Sequence, residues 1–454
     1  MTFALFLLYL VLVYLQPGEI LPALAPYRVT YWVGMAGLAV GFPSLLGRRG
    51  DQAANLQLWV LMAFTAVMGV SLMIAERWLG APILTIQRFG PSLTVFLLAM
   101  CSVTSLARLR IAAGCVIVLT MALMLQGAAA YHLGYNTRLF LMDRTTMSDD
   151  PAADTAEDQA DSVVLDQVPD DLAEDDEWRE PPRIRALGFM HDPNDLAMAM
   201  IVALGLLGGT WRPRLRFGNL LLAAAAGALV YGIYLTRSRG GAMALVVVLW
   251  RFAASRIGRV PALVLLVALG AGVMSLDFGG RSLSMQLDES ASERLVAWRE
   301  GLDMLKTKPI LGVGYGRFLE HHTLTAHNSL VLCFAETGLL GCFFWIGLFV
   351  VTLLELHRLK TLPGDEAFDD TARRWAEGLQ LSVIGFMAAA FFLSRAFVPT
   401  LYLILGLSAA LVAIARDAGR SISLPAPPAL GMFVLACELG SIGVVYTIVK
   451  LYFA

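Results

Sequence analysis

Charged residues are scarce in this sequence. Asp, Glu, Lys and Arg make up 15% of the 454 residues, whereas hydrophobic residues make up 57%. Soluble domains carry about 25% charged residues, and one soluble core cannot keep so much apolar surface away from water. The scarcity of charge therefore excludes a soluble globular protein and predicts a chain that crosses a membrane many times.

Cysteine pairs are also missing. The five cysteines all lie inside apolar segments, and no Cys-x-x-Cys pair occurs. We interpret them as buried packing residues, so neither a metal site nor a redox site is indicated. The apolar run 1–15 lacks a basic region and a small-residue cleavage site, and we interpret it as a first spanning helix rather than a removed signal peptide.

Thirteen apolar runs are long enough to be candidate spans. Twelve spans are an alternative, because the run 240–254 is short and the first run is short and is followed by Pro17. The predicted fold is an all-α polytopic membrane helix bundle with about 12–13 transmembrane helices. The runs lie at about 3–16, 29–46, 56–75, 90–107, 110–130, 194–210, 217–236, 240–254, 260–277, 328–355, 377–394, 398–415 and 430–449.

Every second connection between these runs is basic. By the positive-inside rule the basic connections face the cytoplasm, which places the N-terminus there and turns the other connections outward. The basic residues are Arg48 and Arg49; Arg108 and Arg110; Arg212, Arg214 and Arg216; Arg251, Arg256 and Arg259; Arg358, Lys360, Arg373 and Arg374; and Arg416 and Arg420.

Two outward segments are long and divide the chain. The first, 131–193, holds fifteen Asp or Glu and only two Arg between 143 and 180, so we expect it to be disordered. The second, 278–327, is expected to be ordered. Transmembrane helices are predicted over 1–130, 194–277 and 328–454.

An amphipathic helix is predicted within the second outward segment, over 292–306. Its apolar residues at 295, 298, 302 and 305 recur at helical spacing. Such a helix would lie on the bundle with its apolar face down, near the lipid headgroups. Ser290 or Ser292 would cap its start, and Pro309 follows its end.

His327 lies where this outward segment meets an apolar helix. Its ordinary pKa near neutrality suits a general base, and capping of the helix is its alternative role. Asn328 follows directly and could orient a substrate. Asp192 and Asn194 open another helix, which either could cap, and both could also contact sugar hydroxyls.

Arginines in outward connections are candidates for anion binding, since a guanidinium stays charged and forms paired hydrogen bonds to phosphate. Arg237 and Arg239 lie in a very short connection, and headgroup contact is their alternative role. Gly240 and Gly241 would let a phosphate approach the next helix start. Arg294 and Arg395 are further candidates. No metal and no cofactor is expected.

The stretch 293–341 resembles the signature of bacterial O-antigen ligases and polysaccharide polymerases. It contains Glu293-Arg294, Lys308-Pro309, Gly312-Val-Gly314-Tyr-Gly316, Ala326-His327-Asn328-Ser329 and Glu336-Thr-Gly338 in order. Thr236-Arg-Ser-Arg239-Gly-Gly241 and His191-Asp-Pro-Asn194-Asp195-Leu-Ala are similar to other elements of that family.

The resemblance implies a GT-C-like, inverting, metal-independent glycosyltransferase on the outer side of a bacterial inner membrane. It would move a glycan from undecaprenyl pyrophosphate to an acceptor hydroxyl on a glycan, lipid A core or protein. In that family a loop histidine is the proposed base, matched here by His327, and arginines hold the pyrophosphate, matched by Arg237 or Arg239 and by Arg294.

A lipid-linked oligosaccharide flippase is the alternative function. Polymerase and ligase activities both remain open, and no nucleic-acid partner is expected.

Overall fold

The computed structural model describes residues 1–47, 55–142, 182–211, 216–275, 286–362 and 367–453, and this part of the chain is almost entirely helical. Disorder was predicted for the segment 131–193, and its acidic run 143–180 lies outside the described residues. The flanks of the segment, 131–142 and 182–193, are described. The α-helices are α1 Thr2–Leu15, α2 Pro17–Ile20, α3 Val29–Gly47, α4 Leu56–Glu76, α5 Ala81–Ser102, α6 Leu106–Leu133, α7 Thr137–Phe140, α8 Pro193–Thr210, α9 Arg216–Leu235, α10 Arg239–Ile257, α11 Arg259–Ser275, α12 Gln286–Thr307, α13 Ser329–Thr361, α14 Ala367–Ala390, α15 Pro399–Asp417 and α16 Pro427–Phe453.

Eight helices in the described residues are long and apolar enough to cross a bilayer, which takes about 20 residues. The predicted all-α multi-pass membrane protein is therefore confirmed. The eight are Leu56–Glu76, Ala81–Ser102, Leu106–Leu133, Pro193–Thr210, Phe217–Leu235, Ser329–Thr361, Pro399–Asp417 and Pro427–Phe453.

Two predicted helix starts were wrong. Helix α5 begins at Ala81 rather than near 90. Arg88 interrupts the apolar run in the sequence, but its side chain is exposed on the helix surface and the helix continues through it. Helix α14 begins at Ala367 rather than 377, because Arg420 stabilises its polar first turn. Asp369 accepts two hydrogen bonds from Arg420, at 2.8 and 2.9 Å.

Small residues let the central helices approach closely. Helix α8 packs along α14, where a Cβ at Gly378 would lie 2.6 Å from the Gly209 nitrogen. Without a strong hydrophobic drive between helices in lipid, such close backbone packing is a main source of association. The crossing holds the start of α8 beside the end of α14.

The ordered segment before α13 is anchored into that helix. Gly338 interrupts α13 with φ 65° and ψ −170°, a combination that is essentially restricted to glycine. At this kink the Leu339 nitrogen donates to the Pro309 carbonyl at 2.8 Å, and the Val313 nitrogen donates to Ala335 at 2.9 Å. The segment is therefore held in one path towards α13.

The predicted amphipathic helix is present as α12, and it packs against α13 and α16. Its apolar face buries Trp298 and Leu302. The helix begins at Gln286, earlier than predicted, so Ser290 and Ser292 lie within it rather than at its cap.

A short two-stranded sheet lies beside the start of α8. Strand β1, Leu141–Met142, pairs antiparallel with β2, Arg183–Ile184, in the register Leu141 with Ile184 and Met142 with Arg183. Strand β2 brings Arg183 next to Thr236 and Asn194.

Candidate functional site

His327 directly precedes α13 and has a left-handed backbone, with φ 45°. Asn328, not His327, caps the helix: its Oδ1 accepts from the Leu330 nitrogen at 2.9 Å and the Val331 nitrogen at 3.2 Å. Histidine is one of the few residues that tolerate this conformation. The capping role considered for His327 therefore belongs to its neighbour, and the imidazole is available for another task.

Four side chains act electrostatically on His327, and they come from four different parts of the chain. Together these effects lower the pKa of His327 to about 4: burial contributes most, Arg294, Arg395 and His322 act in the same direction, and Asp192 opposes them. A pKa below its ordinary value means that the imidazole is neutral at neutral pH. The fold thus brings His327, Arg294, Arg395 and Asp192 together.

Helix α12 positions Arg294 near His327. The indole nitrogen of Trp298 donates to the Ala326 carbonyl at 3.0 Å, which fixes the helix to the residue just before His327. Arg299 points elsewhere, because its guanidinium lies 5.1 Å from the centroid of the Phe453 ring in α16. Of the two arginines on this helix, Arg294 is therefore the one that lies near His327.

The connection that carries Arg395 is tied to the start of α13. The Ser329 hydroxyl donates to the Leu393 carbonyl at 2.5 Å and accepts from the Arg395 nitrogen at 2.8 Å. The Arg395 side chain forms an ion pair with buried Asp195, with Nε 2.5 Å from Oδ1. Arg395 thus has a carboxylate partner, which the sequence analysis did not identify.

Arg237 and Arg239 flank the cap of α10. The Ser238 hydroxyl accepts from the Gly241 nitrogen at 3.0 Å, and Arg239 is the first helical residue. Arg237 has a left-handed backbone, with φ 51°. Its guanidinium lies 4.5 Å from the centroid of the Tyr234 ring, and its Nε is buried with no hydrogen-bond partner among the described residues.

The two glycines after Arg239 have a packing role. A Cβ at Gly241 would lie 2.7 Å from the Ala197 Cβ, and one at Gly240 would lie 3.0 Å from the Phe392 Cβ. The missing side chains of these glycines thus allow close packing against Ala197 of α8 and against Phe392, just after α14. The approach of a phosphate to the backbone of this turn stays a prediction.

Arg183, which was not among the predicted site residues, connects the turn that carries Arg237 to the start of α8 at Asn194. Its Nε donates to the Thr236 carbonyl at 3.0 Å, and its terminal nitrogen donates to the Asn194 Oδ1 at 3.3 Å. Asp192 caps α8 by accepting from the Asn194 nitrogen at 2.5 Å. The Thr236–Arg237 turn, Asn194 and Asp192 are thereby linked. The only signal was the position of Arg183 at the end of the acidic segment.

Glu336 is buried and holds the glycine-rich turn in place. Its carboxylate accepts from the Gly316 nitrogen at 2.8 Å and the Phe318 nitrogen at 3.1 Å. Together with the Gly338 kink, this shows that the Glu-Thr-Gly part of the signature orders the segment leading to His327.

Three capped helix starts meet at this end of the bundle: α8 at Asp192, α10 at Ser238 and α13 at Asn328. Helix N-termini carry a partial positive charge and favour anions. Within the described residues, no group of three His, Cys, Asp or Glu side chains is arranged to hold a metal ion. The arrangement combines a neutral imidazole with several cations.

Residues 224–346 match the sequence model of the O-antigen ligase family. The match runs from α9 into α13 and includes Arg237, Arg239, Arg294, His327 and Asn328, while Asp192, Asn194 and Arg395 lie outside it. The predicted resemblance is confirmed for this region, and it supports a glycan-transferring ligase or polymerase role. No curated protein matches the chain.

Proposed function

We propose that the protein is an extracytoplasmic glycosyltransferase that moves a glycan from undecaprenyl pyrophosphate to an acceptor hydroxyl. The observation that carries the proposal is the juxtaposition of neutral His327 with Arg294, Arg395 and Asp192, beside the capped starts of three helices. The positive-inside pattern of the connections supports an active face on the outer side of the inner membrane.

His327 is the general base in this proposal. The acceptor hydroxyl passes its proton to the imidazole while its oxygen attacks the anomeric carbon of the donor sugar. The bond between that carbon and the pyrophosphate oxygen breaks, and the pyrophosphate leaves with the bonding electrons. Attack opposite the leaving group inverts the anomeric centre. A neutral imidazole at working pH suits this step.

Fixed positive charge stabilises the leaving pyrophosphate. Arg294, Arg237 and Arg239 supply guanidinium groups, and the starts of α8, α10 and α13 add partial positive charge. Preorganised groups of this kind are worth about 10²–10³ in rate each. This charge takes the part that a metal ion would otherwise play. Asn328, Asp192 and Asn194 hold the reacting groups in position.

The test is the transfer activity of His327→Ala, with His321→Ala as the matched control. His321 is exposed six residues earlier in the same segment. His327→Ala should abolish glycan transfer, as expected for the loss of a base worth about 10²–10⁴ in rate, with unchanged abundance in the membrane. His321→Ala should behave as the wild type. Full activity of His327→Ala would remove this residue from the mechanism.

Polymerase and ligase activities are separated by the glycans of a deletion strain. Single repeat units on the lipid carrier would indicate a polymerase, whereas long chains left on the carrier would indicate a ligase that serves lipid A core or protein.

One observation favours the alternative flippase function. Glu438 in α16 is 1% exposed, and its Oε1 has no hydrogen-bond partner among the described residues. Carboxylates buried in spanning helices often mark transport pathways. Glu438→Gln should leave glycan transfer unchanged in the proposed glycosyltransferase, while a flippase that uses this carboxyl would lose transport of the lipid-linked glycan.

A further inference from the structure

Four side chains form a row along the ends of α6 and α9, at the same end of the bundle as His327. The rings of His132 and Tyr231 are stacked with centroids 6.1 Å apart and planes 9° apart. Tyr231 and Tyr234 follow at 6.3 Å and 23°. The guanidinium of Arg237 lies over the Tyr234 ring at 4.5 Å. We name these residues the aromatic row.

The aromatic row is held in place and remains open to its surroundings. His132 Nε2 and the Tyr231 hydroxyl are 2.7 Å apart, which fixes two neighbouring helices to each other. His132 is exposed, and Tyr231 and Tyr234 are 44% and 40% exposed. The row therefore presents aromatic surface outside the core, although it is held in a fixed arrangement.

The row is continuous with the candidate site. Arg237 ends the row. The residue before it, Thr236, accepts a hydrogen bond from Arg183, and the same Arg183 side chain also donates to Asn194. The Nε of Arg237 is buried with no partner among the described residues. A ligand whose anionic group meets Arg237 would place its next groups over Tyr234 and Tyr231.

Sugar rings match this surface. The C–H face of a pyranose packs against an aromatic face, while its hydroxyls bond to groups such as the Tyr231 hydroxyl and the imidazole at the ring edges. Tyrosine combines an apolar body with a polar tip, and a cation over the ring strengthens the arrangement at its anionic end.

Membrane anchoring is the competing role for such aromatics. Tyr31 and Trp32 at the start of α3, at the same end of the bundle, are also exposed, but they meet edge to face, with centroids 5.3 Å apart and planes 77° apart. Their geometry presents no stacked surface. This pair provides a matched control for exposed aromatics that only anchor a helix.

We propose that the aromatic row is a sugar-binding surface for the rings of the donor glycan nearest its pyrophosphate. The assignment of the ligand rests on the proposed function, since the anion at Arg237 is the pyrophosphate of that donor. Charge complementarity at Arg237 selects the donor over a neutral acceptor glycan.

The experiment measures binding to the purified full-length protein in lipid nanodiscs. Two probes are used: undecaprenyl pyrophosphate, and the undecaprenyl-pyrophosphate-linked glycan extracted from a strain that lacks this protein. The wild type should bind the glycan-bearing lipid on the order of tenfold more tightly, as expected for two stacking contacts. Tyr231→Ala/Tyr234→Ala should still bind the bare lipid but should lose this difference between the two lipids.

Two control variants complete the experiment. Tyr231→Phe/Tyr234→Phe keeps the rings and should retain most of the preference for the glycan. Tyr31→Ala/Trp32→Ala should bind both lipids as the wild type does. The proposal is overturned if the alanine pair in the row keeps the wild-type preference, if the wild type has none, or if the α3 pair loses it equally.

Failure of the proposed function would be seen in transfer activity rather than in the binding preference for the glycan. His327→Ala should bind both lipids normally while losing transfer. Normal transfer by His327→Ala, with a glycan preference that still depends on Tyr231 and Tyr234, would contradict the catalytic proposal and leave the sugar-binding surface standing.

Discussion

Arg395 and Asp195 form an ion pair across 200 positions of the sequence, with Arg395 Nε 2.5 Å from Asp195 Oδ1. The pair ties the connection between α14 and α15 to the first turn of α8. Because Arg395 also lowers the pKa of His327, its position affects the proposed base. The pair therefore has both an architectural and an electrostatic consequence.

Asp195→Ala should destabilise the protein strongly. It leaves the guanidinium of Arg395, whose side chain is 17% exposed, without its buried carboxylate. Removing one partner of a buried pair costs about 3–5 kcal/mol, and we expect the lower end here. The measurement is thermal unfolding in detergent. Asp303→Ala is the control, because the Asp303–Lys306 pair is well exposed and its loss should cost about 1 kcal/mol or less.

Transfer activity should persist below the ordinary pKa of histidine. Burial and the charges of Arg294, Arg395 and His322 lower the pKa of His327 to about 4, against the opposing effect of Asp192. The free enzyme should therefore keep its base form at pH 5.5 and lose kcat/KM only as the pH approaches 4. A pH–rate profile measures this, and half-loss near pH 6.5 would contradict it.

The same shift predicts a stability change with pH. Between about pH 6.5 and 4 the unfolded chain binds a proton at His327 that the folded protein does not, so this residue's contribution makes the folded state less stable as the pH falls through that range. Above pH 6.5 both states are neutral there, and the effect vanishes. Unfolding of His327→Gln should lack this component, and an unchanged pH dependence would contradict the assignment.

Arg294→Gln and Arg299→Gln should differ sharply in transfer activity and in the pKa of His327. Arg294 acts on His327, whereas Arg299 lies over Phe453. Arg294→Gln should reduce transfer by about 10²–10³, as expected for a lost group that stabilises the leaving pyrophosphate. It should also raise the pKa of His327 in the pH–rate profile, because a neighbouring cation is removed. Arg299→Gln should keep the wild-type transfer rate and the wild-type pKa of His327. Equal losses of transfer in the two variants would contradict the role assigned to Arg294.

Gly338→Ala should disrupt the segment that leads to His327. The backbone there has φ 65° and ψ −170°, and a Cβ would collide with the Ile310 backbone. Strain of this kind costs about 1–3 kcal/mol before the collision is counted. The unfolding temperature in detergent should therefore fall clearly. Gly440→Ala in α16 is the control, because a Cβ there meets nothing within 4 Å and alanine favours a helix.

Hydropathy predicted most of the helices, because backbone groups in a bilayer must be paired within the segment and apolar side chains must cover it. It failed where polar residues lie inside a helix, as at the starts of α5 and α14. Local patterns also predicted a cap at Asp192 or Asn194 and the amphipathic helix α12. Each of these depends on residues within a few turns of one another.

Contacts between distant residues were beyond local patterns. The Arg395–Asp195 pair, the Arg183 link to Thr236 and Asn194, and the carboxylate of Glu336 beneath the glycine-rich turn all depend on how helices pack. The packing role of Gly240 and Gly241 was beyond local patterns for the same reason, since only the packed bundle shows that Ala197 and Phe392 lie beside them.

The sequence by itself determined that this chain forms a multi-pass helical membrane protein, and its motifs predicted which residues would form the site. Hydrophobicity and helical spacing are local properties, so they can be recognised without a fold. Only the tertiary structure decided that His327 is neutral among Arg294, Arg395 and Asp192, because that electrostatic environment arises from helix ends that are far apart along the chain and meet only after packing.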